Sequence, residues 1–291
     1  MRFWVSPCCA SDTTTRLRTE YPFDRTVVYL TTFFRLYLDI LIRSCGCFPA
    51  SKRMNSSITI ATWNVERPNC RTRREKERVV RINTELKHHP ADILVLTETN
   101  DCISPGEGYS QCSSRHLGGD HDGYTYEEGE RRVSIYSRFP LEKRLEVTNP
   151  DTTVCARYAT PSGPLTVYGC IIGILGNRDR GFRVDLHQQL NELARLDPQE
   201  DHLCYAGDFN LTFCDGYYSH REGKELLEAL FRKLGIQLLT RHIPENVDHI
   251  AISDSFLPYP SALPDCVCWN VEERMTRPHL LSDHKGVMVT L

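Results

Sequence analysis

The sequence predicts one α/β domain with mixed strands, packed as a sandwich or as a doubly wound sheet, over residues 54–291. Apolar runs typical of strands alternate with segments of helical spacing, and no internal repeat interrupts this alternation. The chain has 291 residues, of which 40% are hydrophobic and 25% charged, as in a globular protein with a full core. Ordinary contents of glycine (17) and proline (16) exclude collagen-like and linker-dominated chains.

The first elements of this domain form a strand–helix–strand unit. Residues 58–63 (ITIATW) are rich in β-branched side chains and predict a strand that ends at Asn64. Residues 72–75 (TRRE) have the form of a capping box and predict the start of a helix, which Pro90 ends. The apolar face of this helix comprises Val79, Ile82 and Leu86. Residues 92–97 (DILVLT) form a continuous apolar run that predicts a buried strand.

The remaining elements follow a polar stretch. Residues 100–129 contain several glycines and predict a loop long enough to be functional or mobile. Further strands are predicted at 133–137, 165–172, 203–206, 248–253 and 285–291. Two more helices are predicted, at 183–196 with Val184, Leu190, Leu193 and Ala194 on its apolar side, and at 222–234 with Gly235 as its C-terminal cap.

Residues 1–53 differ from the rest of the chain. They hold eight basic and four acidic residues (net +4), against 27 and 34 in 54–291 (net −7), and contain none of the eleven histidines. The apolar run 27–42 includes Arg35 and Asp39, which disfavour a membrane span, and no clean signal or transit peptide is present. We predict that translation begins at Met54 and that 1–53 is an atypical extension, untranslated or disordered, in a cytoplasmic protein. The alternative is a membrane-surface anchor through residues 27–42.

Polar side chains stand where the apolar strands begin or end. They are Asn64, Glu98, Asp208, Asn210, Asp248, Asp283 and His284. Such positions converge on one rim of an α/β fold, where sites are built. Mg²⁺ takes oxygen ligands from one or two carboxylates, which Glu98 and Asp283 can supply. With Asp208 to orient or deprotonate water and an Asp–His couple to stabilise phosphoryl oxygens, the set indicates metal-assisted phosphoester hydrolysis.

Five short blocks resemble the signature blocks of the endonuclease/exonuclease/phosphatase (DNase I-like) superfamily. They are TWN (62–64), LTE (96–98), GDFN (207–210), VDHI (247–250) and SDH (282–284), in the family's order and spanning nearly all of the domain. Any one block is a weak signal, whereas five in order at strand edges are a strong one. The resemblance implies a four-layered α/β sandwich with two packed mixed β-sheets flanked by helices.

The resemblance also implies a metal site and a reaction. Glu98 would be the main Mg²⁺ ligand, helped by Asn64 and, directly or through water, by Asp283; Mn²⁺ is the alternative metal. The expected reaction is in-line attack of water on a phosphoester without a covalent enzyme intermediate.

Four further residues receive roles from the same resemblance. Asp208 would position or activate the attacking water, and Asn210 would hydrogen-bond the scissile phosphate. His284 would contact a phosphate oxygen while Asp248 holds it in orientation.

One departure from the family pattern concerns the strand predicted at 165–172. Many members place a His or Asn at its end, whereas this chain has YGCIIG (168–173). Asn177, Arg178, Arg183 or His187 could substitute, but a solvated loop and helix face is the preferred interpretation.

The sequence therefore predicts a Mg²⁺-dependent phosphoester hydrolase: a phosphodiesterase, nuclease or phosphatase. Nucleic acid, a lipid head group and a small phosphoester remain open as substrates, and the net charge of −7 in 54–291 slightly favours a small or nucleotide-like one. We expect a monomer with no clear membrane partner. The alternative function is a non-catalytic binding protein on the same scaffold.

Overall fold

The computed structural model describes residues 57–121, 124–178, 180–196, 202–217, 219–258, 264–271 and 280–291. The predictions for residues 1–53, including the candidate anchor at 27–42, lie outside these ranges. Among the described residues, no helix is long and apolar enough to cross a membrane.

Two six-stranded mixed sheets form the centre of the fold. The strands of the first sheet are β1 (Thr59–Asn64), β2 (Ile93–Asn100), β3 (Ser110–Ser113), β6 (Glu130–Ser137), β13 (Asp265–Trp269) and β14 (Gly286–Thr290), in the spatial order β13-β14-β1-β2-β6-β3. The strands of the second are β7 (Leu141–Leu145), β8 (Thr153–Thr160), β9 (Gly163–Ile171), β10 (His202–Asp208), β11 (Ile236–Leu238) and β12 (Asp248–Ser253), in the order β11-β12-β10-β9-β8-β7. A separate hairpin pairs β4 (Gly119–His121) with β5 (Tyr124–Tyr126).

Helices cover the outer faces of the two sheets. Helix α1 (Arg73–His88) packs on the first sheet, while α2 (Arg180–Leu193) and α3 (Arg221–Leu234) pack on the second. The apolar residues between the sheets form a third cluster, which includes Val95 and Val167. The result is the four-layered α/β sandwich that the family resemblance implies. Its inner strands β1, β2 and β10 are buried on both faces, which explains their continuous apolar runs.

The helix boundaries follow the predicted capping signals. Thr72 caps α1, since its Oγ1 accepts a hydrogen bond from the Glu75 backbone N–H at 3.2 Å. The predicted face of α1 is buried. Gly235 ends α3 at φ +62°, a left-handed conformation that glycine adopts without steric cost.

The polar stretch 100–129 was expected to be a loop, and this expectation is wrong in part. It contains β3, which pairs with β6 at the edge of the first sheet, and the β4–β5 hairpin. These strands are three or four residues long and mostly polar. Short polar strands lack the apolar alternation by which strands are recognised.

The predicted inner face of α2 is also partly wrong. Leu193 is buried as expected, but Val184 is 54% exposed and Ala194 lies beyond the helix end. The buried face instead includes Asp185 and Gln189, both hydrogen-bonded to the end of β9 and the residues that follow it. Tertiary hydrogen bonds therefore draw polar side chains inward.

Candidate active site

Four strands of the two sheets bring their polar ends together. Asn64 is the last residue of β1, and Glu98 lies near the end of the parallel neighbour β2. In the other sheet, Asp208 is the last residue of β10 and stands opposite Asp248, the first residue of β12, in antiparallel register. The expected convergence of strand ends is therefore present in both sheets.

A hydrogen bond between Asn64 and Asp208 joins the sheets. The Asn64 Nδ2 donates to Asp208 Oδ2 at 3.1 Å, and both side chains are about 1% exposed. The Oδ1 atom of Asn64 accepts the backbone N–H of Glu66 at 2.9 Å, so both ends of the amide are used. Asn64 thus orients Asp208 in addition to any role at a metal ion.

Asp208 is a buried carboxylate held on both of its oxygens. Its Oδ1 accepts the backbone N–H of Asn210 at 2.9 Å, and its Oδ2 lies 3.4 Å from the Asn210 Nδ2. Burial, reinforced by the nearby charge of Asp248, raises the pKa of Asp208 to about 7. A carboxylate with a pKa near neutrality suits proton transfer to or from water.

His284 is paired with Asp248 behind the site. The Nδ1 of His284 lies 2.6 Å from Asp248 Oδ2, and Asp248 is fully buried. Burial by itself lowers the pKa of His284, but the carboxylates of Asp248 and Asp208 raise it well above the ordinary histidine value. These charges favour the protonated imidazole, whose Nδ1–H donates to Asp248 and whose Nε2 lies 3.7 Å from Asp283 Oδ1.

The segment that carries His284 is fixed at its backbone. The carbonyl oxygen of His284 accepts from Trp63 Nε1 at 3.2 Å and from Asn270 Nδ2 at 2.6 Å. The Ser282 hydroxyl donates to the carbonyl oxygen of Asn64 at 2.7 Å and accepts the backbone N–H of His284 at 3.1 Å. The predicted SDH block is thus docked directly on the end of β1.

Glu98 and Asp283 supply carboxylates near the same point. Glu98 is half-buried with φ +47°, and burial raises its pKa, which the charge of His284 partly offsets. The side chain of Asp283 is 72% exposed, and its Oδ1 lies 3.7 Å from His284 Nε2. Asp283 therefore faces the open side of the site.

Glu66 is a further carboxylate that the sequence reasoning did not include. Burial and the charge of Asp283 raise the pKa of Glu66, and its Oε2 pairs with Arg78 Nη2 at 3.3 Å. Its backbone N–H is the group bound by Asn64. Its position two residues after the strand-terminal Asn64 was the available signal, since such a residue lies on the same rim.

The loop after β9 holds Asn210 in place. Asn210 has φ +50°, and its Nδ2 donates to the carbonyl oxygens of Ile172 at 3.1 Å and Gly173 at 2.9 Å. Asn177, proposed as a substitute phosphate contact, instead donates from its Nδ2 to the Asn210 carbonyl oxygen at 2.7 Å. Asn177 therefore supports Asn210 in this structure.

Two other candidate substitutes lie on the solvent face of α2, as the preferred interpretation held. Arg183 pairs with Glu222 at 3.0 Å, and His187 is exposed.

One arginine of the basic stretch on α1 supports the site through its hydrogen bonds. Arg78 donates to the carbonyl oxygens of Val65 at 2.9 Å and Leu281 at 2.8 Å, so it ties the segment after β1 to the segment before His284.

The donor set fits a hard divalent cation. Glu98, Asp283 and Glu66 offer carboxylate oxygens, and Mg²⁺ commonly uses one or two carboxylates with water and substrate phosphate as its other ligands. In the described part of the chain, no group of three or more His, Cys, Asp or Glu side chains is placed to hold a metal ion by itself, so water and substrate phosphate would supply most of the ligands. An open set that leaves room for water and phosphate is typical of Mg²⁺ in phosphoryl chemistry.

Comparisons with known proteins agree with this geometry. The profile of the Endonuclease/Exonuclease/phosphatase family matches residues 61–284. The fold is similar to that of an AP endonuclease from Archaeoglobus fulgidus, with a TM-score of 0.57 and 16% identity over 80% of this chain and 98% of that one. Comparison with curated proteins finds no matching relative.

Two further solved structures are similar. Humanized D. rerio TDP2 has a TM-score of 0.55 and 16% identity, and the 3′ phosphatase NExo from Neisseria, bound to product DNA hairpin, has 0.51 and 17%. In both cases 80% of this chain and 98% of the other is covered. Both likenesses bear on the fold. With the family profile and the two-sheet architecture, they lead to one conclusion: the chain belongs to the endonuclease/exonuclease/phosphatase family and is a phosphoester-hydrolysing enzyme.

Proposed function

We propose that this protein is a Mg²⁺-dependent phosphoesterase in which Asp208 acts on the attacking water and His284 on the phosphate. The observation that carries the proposal is the hydrogen bond between Asn64 and Asp208, which joins the ends of β1 and β10 and brings the polar groups of both sheets to one point. A binding scaffold would not require a buried carboxylate beside a buried Asp–His pair, because burying charged groups costs stability.

The metal would be held by Glu98, with Asp283 and the neighbouring Glu66 contributing oxygens or bound water. When bound, Mg²⁺ supplies a Lewis acid that polarises a phosphoryl oxygen and helps to orient the substrate. The chain itself provides the other elements of the reaction. Asn64 holds Asp208 in place, since its amide donates to that carboxylate at 3.1 Å.

The protons are handled by two groups of opposite charge. Asp208, with a pKa of about 7, accepts a proton from water at Oδ2, the oxygen that also accepts a hydrogen bond from Asn64 Nδ2. His284 holds its proton at Nε2, where it can donate to a non-bridging phosphate oxygen and stabilise the charge that develops there. Asp248 fixes the ring through Nδ1.

Asn210 is the proposed phosphate contact on the other side of Asp208. Its Nδ2 is bonded to the carbonyl oxygens of Ile172 and Gly173, so a phosphate oxygen would replace one of these acceptors. The amide stays close because its backbone is held by Asp208 and Asn177.

A short phosphoester is the substrate that the surroundings favour. A cavity of about 540 Å³ lies next to the ends of β1 and β2, and its walls carry Asp101, Glu127 and Glu128 against Arg71 and His116. Glu127 pairs with Arg71 and Asp101 pairs with Arg131, so these walls offer little free positive charge to a long polyanion. A mononucleotide or another small phosphodiester needs few contacts beyond the scissile group. Nucleic acid is the competing substrate, because solved structures of similar fold include an AP endonuclease and a DNA-bound 3′ phosphatase.

Hydrolysis by the full chain is the decisive assay. We would test it with Mg²⁺, Mn²⁺ or EDTA on a generic phosphodiester, a phosphomonoester, nicked and single-stranded DNA, RNA and sphingomyelin. Asp208→Asn should lower turnover by roughly 10²- to 10⁴-fold, which is the contribution of one acid–base group. Asp265→Asn is the matched control, since Asp265 is exposed on β13.

Each outcome has a distinct meaning. Hydrolysis that EDTA and Asp208→Asn both abolish supports the proposal, and the preferred substrate separates the short phosphoester from nucleic acid. Full activity in EDTA contradicts the metal requirement, and full activity in Asp208→Asn contradicts the assigned role. A folded chain that binds Mg²⁺ and hydrolyses none of the panel would favour the non-catalytic scaffold.

A further inference from the structure

Arg67 adopts a backbone conformation that arginine rarely takes. Arg67 has φ +52°, and Glu66, which precedes it in the segment after β1, has φ +53°. The backbone N–H of Arg67 donates to the carbonyl oxygen of Glu98 at 2.8 Å. Glu98 itself has φ +47°, so this bond joins two strained residues. Glycine would accept this conformation at position 67 without steric cost, so the arginine side chain must bring contacts that glycine lacks.

The Arg67 side chain is anchored on Glu130. Its Nε and Nη2 bond both carboxylate oxygens of Glu130, the latter at 3.3 Å, and Nη2 also donates to the Thr125 carbonyl oxygen at 2.7 Å. The guanidinium carbon lies 5.0 Å from the centre of the Tyr126 ring. Glu130 is only 2% exposed and begins β6, opposite Asn100 of β2 in the strand register. The anchor is therefore a rigid part of the first sheet.

These contacts form a closed circuit around Glu98. Strand β2 carries Glu98, strand β6 beside it carries Glu130, Glu130 holds the side chain of Arg67, and the backbone of Arg67 holds Glu98. Planar, bidentate pairing of guanidinium with carboxylate gives this anchor a defined orientation. The circuit thus restrains the backbone of the residue expected to bind the metal.

We propose that Arg67 is a positioning residue: the Arg67–Glu130 pair fixes the left-handed backbone of Glu98 so that its carboxylate is pre-oriented for Mg²⁺. This inference rests on the proposed function, because it concerns the same site. It assigns a role to the side chain of Arg67 and to the buried acid Glu130, neither of which has a role in the proposed reaction. Groups that orient a metal ligand commonly change metal affinity 10- to 100-fold when they are replaced.

The charges of the pair allow positioning to be separated from simple electrostatics. If Arg67 and Glu130 acted only through their charges, Arg67→Met would remove a repelling cation and strengthen Mg²⁺ binding, whereas Glu130→Gln would weaken it. If the pair positions Glu98, both variants loosen the same circuit and both weaken binding. The sign of the change in the Arg67→Met variant therefore decides between the two.

The test is calorimetric titration of the full chain with Mg²⁺, without substrate. Arg67→Met and Glu130→Gln should each raise the dissociation constant about tenfold. Arg67→Gly keeps the backbone N–H and suits the positive φ, so the same loss there would show that the side-chain anchor matters. Arg67→Lys should recover part of the affinity, because lysine can still reach Glu130 as a point charge. Arg73→Met is the matched control, as Arg73 pairs with Glu77 on the exposed face of α1.

Several outcomes would overturn the inference. Tighter Mg²⁺ binding by Arg67→Met would mean that the pair acts only through its charges. Unchanged Mg²⁺ affinity in folded Arg67→Gly and Glu130→Gln variants that only melt at a lower temperature would mean that the pair has a purely structural role. Wild-type chain that binds no Mg²⁺ would overturn both this inference and the proposed function. Wild-type chain that binds Mg²⁺ with the expected losses in the variants, but hydrolyses no phosphoester, would retain the positioning role and refute the proposed function alone.

Discussion

Replacement of Asp208 by Asn should make the metal-free protein more stable at neutral pH and less stable in acid. Burial raises the pKa of this carboxyl from 3.8 to about 7, so the folded chain keeps a proton that the unfolded chain releases between these values. A group whose folded pKa is raised loses stabilisation as the pH increases from the unfolded to the folded value. The difference corresponds to about 4 kcal/mol, at about 1.4 kcal/mol for each pKa unit.

The introduced amide does not titrate, so the variant escapes this loss. The amide side chain at position 208 keeps an oxygen that accepts the Asn210 backbone N–H. Its NH₂ group then faces the Asn64 Nδ2, so the hydrogen bond from Asn64 is lost and the free energy of unfolding falls by about 1 kcal/mol. We therefore expect Asp208→Asn to be about 1 kcal/mol less stable than wild type near pH 4 and about 3 kcal/mol more stable near pH 8.

Urea denaturation in EDTA at several pH values, followed by tryptophan fluorescence, measures this difference directly. Asp265→Asn should show no such trend, because Asp265 is exposed. A stability difference between Asp208→Asn and wild type that stays constant from pH 4 to pH 8 would refute the reasoning. It would mean that the folded state does not hold Asp208 with a raised pKa.

Three further outcomes follow from other parts of the fold. Gly207→Ala should unfold the protein or lower its free energy of unfolding by more than about 4 kcal/mol in urea denaturation, because the added Cβ would lie 1.9 Å from the Cys170 carbonyl oxygen. Gly118→Ala is the control and should leave the stability unchanged, because Gly118 has open space around it. Burial lowers the pKa of His249 to about 4, so the unfolded chain binds this proton first as the pH falls. Between pH 6.5 and pH 4 wild type should therefore lose about 3 kcal/mol relative to His249→Gln, and equal slopes in the two proteins would contradict this. Arg78→Met should speed hydrogen exchange in segment 281–284, and unchanged protection there would contradict its linking role.

The sequence was most informative where local chemistry decides the structure. The strand that precedes Asp208 is recognisable because burial on both faces requires a continuous apolar run, and the polar residue that follows must then lie at the sheet edge. Thr72 and Gly235 were predictable as helix caps for the same reason, since each satisfies its own turn of helix. Such features depend on neighbours within a few residues.

Other features depend on partners far along the chain. Asp185 and Gln189 face inward on α2 because Ile171 at the end of β9 and Gly173 after it offer groups to bind them, so the helical pattern alone indicated the inner face only in part. The left-handed conformations of Arg67 and Glu98 likewise have no local signature, because neither is glycine or asparagine. The carboxylate of Glu66 was overlooked because its proximity to Asp283 arises only when the last segment of the domain docks on β1.

The position of β14 has a consequence for the synthesis of the protein. This strand, the last in chain order that the structure describes, lies between β13 and β1, and Thr290 stands opposite Thr59 in the antiparallel register of β14 and β1. During translation β1 therefore has no partner on that side until almost the whole domain has left the ribosome. Pairing of such distant segments is also slow, because a long loop must close before any contact forms. The nascent chain should accordingly stay inactive, and depend on protection of its exposed β1 edge, until its final strand is inserted.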